Sequence, residues 1–234
     1  DLEQTGFSPR NAFALDGATG QVSALNSQPS PGAGPTHLAV DPSGRLVVVA
    51  NYAGGSVAAF PVGSDGRLAP HSDFHQHQGP LGPNPRRQDK PHAHMAGFDP
   101  SGRWVLICDL GMDRTFVYAV DAAAGKLTPN PEYGPAPAGA GPRHLTFHPS
   151  GRFVHVINEL AGSITTFAFD GASGRLTPLQ TISTLPEGVD VEIEIELRER
   201  LEPVARAEGL VERRLHGVGE GLLLVTPRGG EARL

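Results

Sequence analysis

His37-Leu-Ala-Val-Asp-Pro-Ser-Gly-Arg45, His94-Met-Ala-Gly-Phe-Asp-Pro-Ser-Gly-Arg103 and His144-Leu-Thr-Phe-His-Pro-Ser-Gly-Arg152 are three versions of one phrase. Each is a His, a short apolar run and a Pro-Ser-Gly-Arg turn that leads into a second apolar run. Recurrence at intervals of about fifty residues is the mark of stacked supersecondary units. Within each unit Pro presets φ, Gly tolerates positive φ and the preceding Asp caps the turn, so the phrase reads strand–turn–strand. Leu46 to Asn51 is a continuous apolar run suited to a strand buried on both faces. Gly54-Gly55 then turns the chain into a third strand, Ser56 to Phe60. A looser fourth element ends in Gly-x-Leu at Gly66, Gly125 and Gly174, with Gly20-Gln-Val22 as a further copy. Three or four short antiparallel strands per unit is the arithmetic of a β-propeller blade, so the chain is expected to be all-β.

Working outward, 30 Gly and 22 Pro in 234 residues suit a turn-rich β protein. A formal charge of −6 argues against nucleic acid as a partner, because phosphate binding needs clustered Lys and Arg. No apolar run is long enough to span a bilayer, which argues against a membrane partner. The first residues have no signal-peptide pattern and no initiator Met, so a processed or incomplete chain is expected. With Cys108 as the single cysteine, a reducing, cytoplasmic setting is expected. Residues 1–188 supply an incomplete first blade and three recognisable ones, about four in all, whereas propellers close with roughly four to eight. An incomplete ring is therefore expected.

From Val189 the pattern changes. Residues 189–234 hold no aromatic residue and no further Pro-Ser-Gly-Arg turn, and are dense in charge. Val189 to Leu197 alternates like a half-exposed strand, Glu202-Pro203 opens a helical pattern to Leu215, and Leu222 to Val225 reads as a last strand. The segment is treated as divergent: an appended element, a fusion, or a frameshifted reading of further blades.

Residues that break a repeat are those its scaffold does not explain. Aligned on their histidines, the copies place His37, His94 and His144 at one position, which favours a structural reading for His37 and His144. His94 differs in its flank, Lys90-Pro-His-Ala-His94, and in a strand His92 and His94 would point to the same side. Arg143 stands where the first copy has Thr36. Asn51, Asp109 and Asn158 correspond, and the next position runs Tyr52, Leu110, Glu159. A carboxylate at that strand end either pairs with Arg143 at the rim or takes part in chemistry. The insertion from His71 to Pro91 adds His71, His75, His77, Arg86 and Arg87. Its histidines raise a metal site, but no Cys or placed carboxylate completes a ligand set, so no metal is expected. Arg86-Arg87 with Lys90 reads as an anion-contacting or solvated loop.

Taken together, Gly32-Ala-Gly-Pro-Thr-His37, Ala50-Asn-Tyr-Ala-Gly-Gly-Ser56, Gly82-Pro-Asn-Pro-Arg-Arg-Gln88, Pro91-His-Ala-His94, Gly141-Pro-Arg-His144 and Val156-Ile-Asn-Glu-Leu160 resemble the lactonase family. This is the seven-bladed propeller family of 6-phosphogluconolactonases and carboxy-muconate cyclases, and the resemblance runs over residues 12–188. It implies a His, an Arg and a Glu at the central face, here His94, Arg143 and Glu159 as catalytic residues. His92, Arg87, Asn158 and His37 are carried as substrate contacts. The family also contributes a later Arg from a Ser-Asn-Arg-Gly segment, which nothing in 189–234 matches.

The implied activity is hydrolysis of a sugar δ-lactone, phosphorylated in the pentose phosphate pathway, with no cofactor. His94 or Glu159 would act as general base on water, and Arg143 would hold the oxyanion or phosphate. No Gly-x-Ser-x-Gly elbow offers a serine nucleophile. Two alternatives stand beside it: a lactone-forming cycloisomerase, and a catalytically silent or truncated propeller that serves as a binding module. The oligomeric state is not legible.

Overall fold

The computed structural model describes residues 9–187 and, as backbone, the strands Val211–Arg213 and Leu224–Thr226. The described residues form strands, turns and loops. Contacts divide the chain into Asp1–Thr184 and Leu185–Leu234.

In the first unit, β1 (Pro9–Leu15) and β2 (Val22–Pro29) form a two-stranded antiparallel sheet. Three larger antiparallel sheets follow in chain order. The first is β3 (Pro35–Val40), β4 (Leu46–Asn51), β5 (Ser56–Pro61) and β6 (Asp73–Gln76). The second is β7 (Ala93–Phe98), β8 (Trp104–Asp109), β9 (Arg114–Asp121) and β10 (Lys126–Pro129), with β11 (Gly134–Pro135) also paired to β9. The third is β12 (Pro142–Phe147), β13 (Phe153–Asn158), β14 (Ser163–Asp170) and β15 (Arg175–Ser183). Each sheet is an up-and-down meander, as the repeat predicts for a blade.

The Pro-Ser-Gly turns close the hairpins for the expected reason. In the first, Asp41 Oδ1 accepts from the amides of Arg45 (2.7 Å) and Leu46 (2.6 Å), Oδ2 accepts from the amide of Ser43, and Gly44 takes φ 73°. Asp99 repeats the arrangement on Ser101 and Trp104, and in the third copy His148 Nδ1 accepts from the Ser150 amide.

The sheets pack face to face. Leu46, Val48, Ala50 and Val57 meet Ala96, Val105, Ile107 and Tyr118 between the first and second. Leu106, Cys108 and Val117 meet Leu145, Val154, Val156 and Phe167 between the second and third. Every residue of β4 is buried, which explains its unbroken apolar run. The leading strands lie side by side, β3 against β7 and β7 against β12.

Their register corrects the histidine alignment. Pairing passes from Pro35↔Asn51 to His37↔Ala50, from Ala93↔Asp109 to Met95↔Cys108, and from Pro142↔Asn158 to His144↔Ile157. Each leading strand thus carries one extra residue, namely Thr36, His94 and Arg143. His94 is the counterpart of Thr36 and Arg143, and Met95 that of His37 and His144. The cause is one additional residue in the second copy: His94 stands six residues before its turn proline, His37 and His144 five. Because β7 begins at Ala93 and bulges at once, His92 lies outside the strand, and the strand periodicity expected to place His92 and His94 on one side does not apply.

In the second unit β16 (Val211–Arg213) pairs antiparallel with β17 (Leu224–Thr226). The helix expected to reach Leu215 is therefore strand over 211–213. Val211 pairs with Thr226, and both residues are β-branched types favoured in strands. The alternating stretch Val189 to Leu197 and the start of that helix lie outside the described residues.

Asp41→Ala and Asp99→Ala leave buried turn amides without an acceptor and are each expected to cost about 1–3 kcal/mol in urea unfolding. Hydrogen bonds outweigh burial and hold the Asp41 carboxyl below the usual carboxylate range. Its share of stability is thus full above the ordinary aspartate pKa, is lost as pH falls through the depressed folded value, and vanishes in the Ala variant.

Candidate functional site

The extra residues of β7 and β12 put two repeat-breaking side chains next to one another. Arg143 Nε donates to His94 Nε2 at 3.1 Å and lies 3.2 Å from Glu159 Oε2. Glu159 follows β13, where its amide donates to the Gly141 carbonyl and so ties it to the entry of Arg143's strand. Arg87 reaches the other carboxylate oxygen, NH2 to Oε1 at 2.5 Å. One carboxylate is therefore clasped by two guanidiniums, with the three side chains 22–37 % exposed. Glu159 Oε2 is buried without a hydrogen bond aimed at it, since the one Nε–H of Arg143 points to His94.

His94 is 2 % exposed. Burial first, and then the charge of Arg143 and the neighbouring His144, push its pKa down to about 4. The imidazole is neutral at pH 7 and accepts at Nε2, which assigns its proton to Nδ1. Tyr52 packs edge-on against His94 with ring centroids 5.4 Å apart and stacks on His92 at 4.4 Å. It is also an electrostatic partner of Arg87. Burial alone would lower the Arg87 pKa, but Tyr52 and Glu159 together raise it.

Arg87 is presented by a built loop. Asn84 Oδ1 accepts from the amides of Arg86 and Arg87, and its carbonyl accepts from the Gln88 amide. The Gln88 side chain, 2 % exposed, folds under the loop, and a Cβ on Gly82 would stand 2.1 Å from its Nε2. Arg86, by contrast, is exposed.

His94, Arg143, Glu159 and Arg87 thus converge. His37 is peripheral: its ring lies 6.0 Å from that of His144, which is 5.2 Å from that of His94. Two expected substrate contacts have partners within the protein. His92 Nδ1 lies 3.1 Å from the Tyr52 carbonyl, Nε2 lies 2.9 Å from Asp89 Oδ1, and Tyr52 stacks on the ring, so both nitrogens are engaged within the protein. Asn158 is fully buried and donates to Ser163 Oγ and Thr165 Oγ1 inside its own hairpin. Tyr52 and His144 are the residues the sequence reading missed as site members. Tyr52 holds the repeat position of Glu159, which was the available signal.

The loop histidines go separate ways. His75 Nε2 lies 3.0 Å from the Leu127 carbonyl, and His77 Nδ1 lies 2.6 Å from Asp109 Oδ2 in the interior. Among the described residues, no group of three or more His, Cys, Asp or Glu is placed to hold a metal ion.

Three four-stranded meanders packed face to face, with bulged leading strands side by side, define part of a β-propeller. The family described as lactonase, seven-bladed beta-propeller, matches residues 9–198, and the chain belongs to it. It is 41 % identical over 137 residues to a 6-phosphogluconolactonase of Bacillus subtilis, covering 58 % of this chain and 38 % of that protein. A 6-phosphogluconolactonase of Formosa agariphila is 30 % identical over 139 residues, covering 58 % and 39 %. The structure of the periplasmic gluconolactonase PpgL of Pseudomonas aeruginosa superposes with a TM-score of 0.72 at 34 % identity, covering 79 % of this chain and 52 % of that one. The chain spans between 38 % and 52 % of the length of these relatives.

The depressed His94 pKa has a visible consequence. In an NMR pH titration the His94 ring is expected to stay neutral from pH 7 down to 5, with a midpoint near 4. Between the ordinary histidine pKa and that midpoint the unfolded chain binds the extra proton, so this stability is full at pH 7 and lost on acidification. His94→Gln is expected to flatten the pH dependence of unfolding over that interval.

Proposed function

We propose that the His94–Arg143–Glu159–Arg87 cluster is the hydrolytic site of a lactonase that opens a sugar δ-lactone to its aldonic acid. The observation that carries the reading is the clasped carboxylate, with one oxygen on Arg87 and the other, Oε2, without a hydrogen-bond donor. With the lactone bound, the Glu159 carboxylate takes the proton of a water as the water oxygen attacks the lactone carbonyl. Negative charge then develops on the carbonyl oxygen beside the guanidiniums of Arg143 and Arg87, which are fixed donors in a half-buried setting. Collapse breaks the ring C–O bond, and the proton held by Glu159 passes to the departing ring oxygen. Water and lactone yield one open acid, and the carboxylate is restored.

His94 has a different role in this scheme. Its lone pair is occupied by Arg143, so it aims that guanidinium rather than activating water. A phosphorylated lactone is the favoured substrate, because Arg87 of the cluster is flanked in its loop by two exposed cations, Arg86 and Lys90, which suit a phosphate. The names of the Bacillus and Formosa relatives support the same choice. A cytoplasmic setting belongs to this reading. Its support is the free, buried Cys108.

Acid release from 6-phosphogluconolactone, corrected for spontaneous opening, tests it. Glu159→Gln, Arg143→Ala and Arg87→Ala are each expected to lower kcat/KM by about 10²–10³-fold. His37→Ala is expected to stay within a few-fold of the parent. Parent-like rates in the first three variants would overturn the assignment.

A further inference from the structure

The turn between β8 and β9 carries an anomaly that the lactone reading leaves unused. Tight turns join the second and third strands of each sheet, and their last residue has positive φ: Gly55 at 60°, Asp113 at 52° and Gly162 at 51°. Two copies use glycine, the residue suited to that backbone region. Asp113 is the non-glycine residue with positive φ among the described residues. A side chain kept in a strained backbone position points to a role for that side chain.

The contacts of Asp113 say what the role is. The residue is 8 % exposed and its carboxylate accepts three hydrogen bonds. Gln88 Nε2 donates to Oδ1 at 2.7 Å, the Gly141 amide donates to Oδ1 at 2.8 Å, and the Gly139 amide donates to Oδ2 at 2.7 Å. Gln88 directly follows Arg87 and, through Oε1, also accepts from the Asn84 amide in the same loop. Gly141 stands two residues before Arg143, and its carbonyl accepts from the Glu159 amide. A single buried carboxylate therefore joins the segments that carry Arg87, Arg143 and Glu159, which are otherwise far apart in sequence.

We propose that Asp113 is the positioning residue of the site: it sets the separation of Arg87 from Arg143 and Glu159 by bonding the loop of one and the strand entry of the others. The inference deepens the lactonase reading, and what it adds is how the two guanidiniums are held at a fixed spacing around one anion. Asparagine cannot replace the carboxylate. Whichever way its amide turns, an NH2 faces a donor, either Gly139 or the pair Gln88 and Gly141.

The test uses the full chain labelled with ¹⁵N-arginine, with the Nε–Hε resonances assigned through Arg87→Lys and Arg143→Lys, and with 6-phosphogluconate as the probe anion. Asp113→Asn is expected to shift both the Arg87 and the Arg143 resonances before any ligand is added, and to weaken 6-phosphogluconate binding roughly tenfold or more. Gln88→Met, which cuts one of the two links, is expected to shift Arg87 and leave Arg143 in place. A residue that served only the turn would lower stability and leave both arginine signals where they were. Unmoved arginine resonances in folded Asp113→Asn overturn the proposal. Should that variant fail to fold, an unmoved Arg87 signal in Gln88→Met overturns it. Failure of the parent chain to bind 6-phosphogluconate counts against the lactonase reading, while the ligand-free shifts still decide the role of Asp113.

Discussion

One extra residue at the start of each leading strand is the constraint from which the site follows. A strand in strict register alternates its side chains between two faces, and a one-residue slip sends each to the opposite face. The bulge relieves this locally: two residues oppose one, and the side chains at that point are re-aimed while the remaining ladder keeps its core residues inward. The repeat supplies the device three times, filled by Thr36, His94 and Arg143. The latter two meet because β7 and β12 lie side by side. Scaffold and chemistry are thus separated by position within the unit. The turns and middle strands are interchangeable, and the bulge and the residue after the second strand are free to vary.

What varies there is arranged around charge. Glu159 is held between Arg143 and Arg87, and His94 remains neutral because burial and Arg143 oppose its protonation. A protonated His94 would repel Arg143 and have no lone pair for it. Neutrality of the imidazole and direction of the guanidinium are therefore one property. The same economy explains His92. Its nitrogens face Asp89 and the Tyr52 carbonyl, so it supports Tyr52, which in turn packs on His94.

The blades were legible because their turn chemistry is local: Asp, Pro, Ser and Gly act within five residues, and the apolar runs follow from burial on both faces. His94, Arg143 and Glu159 were legible as departures from the repeat, and Arg87 as part of a cationic loop. Register was less so. Matching the copies on the identity of a histidine hid the six-residue spacing before Pro100, and with it the true counterpart of His94. Tyr52 was visible as the repeat counterpart of Glu159, but a phenol there does not signal the ring contacts it makes with His92 and His94. The side-chain types of His92 and Asn158 suit substrate contact, while their partners in the structure, Asp89, Ser163 and Thr165, come from local and tertiary packing that the sequence does not display. Asp113 is invisible in the chain alone, since its meaning lies in a φ angle and in two loops that meet around it.

The most direct measurement is a crystal structure of the full chain with 6-phosphogluconate bound. The sugar acid is expected to place an anionic group within hydrogen-bond distance of both Arg87 and Arg143, with Glu159 Oε2 facing the carbon that was the lactone carbonyl and His94 still accepting from Arg143. A sugar acid bound elsewhere, or bound with Glu159 turned away and both arginines untouched, would contradict the placement of the chemistry at the bulged strands.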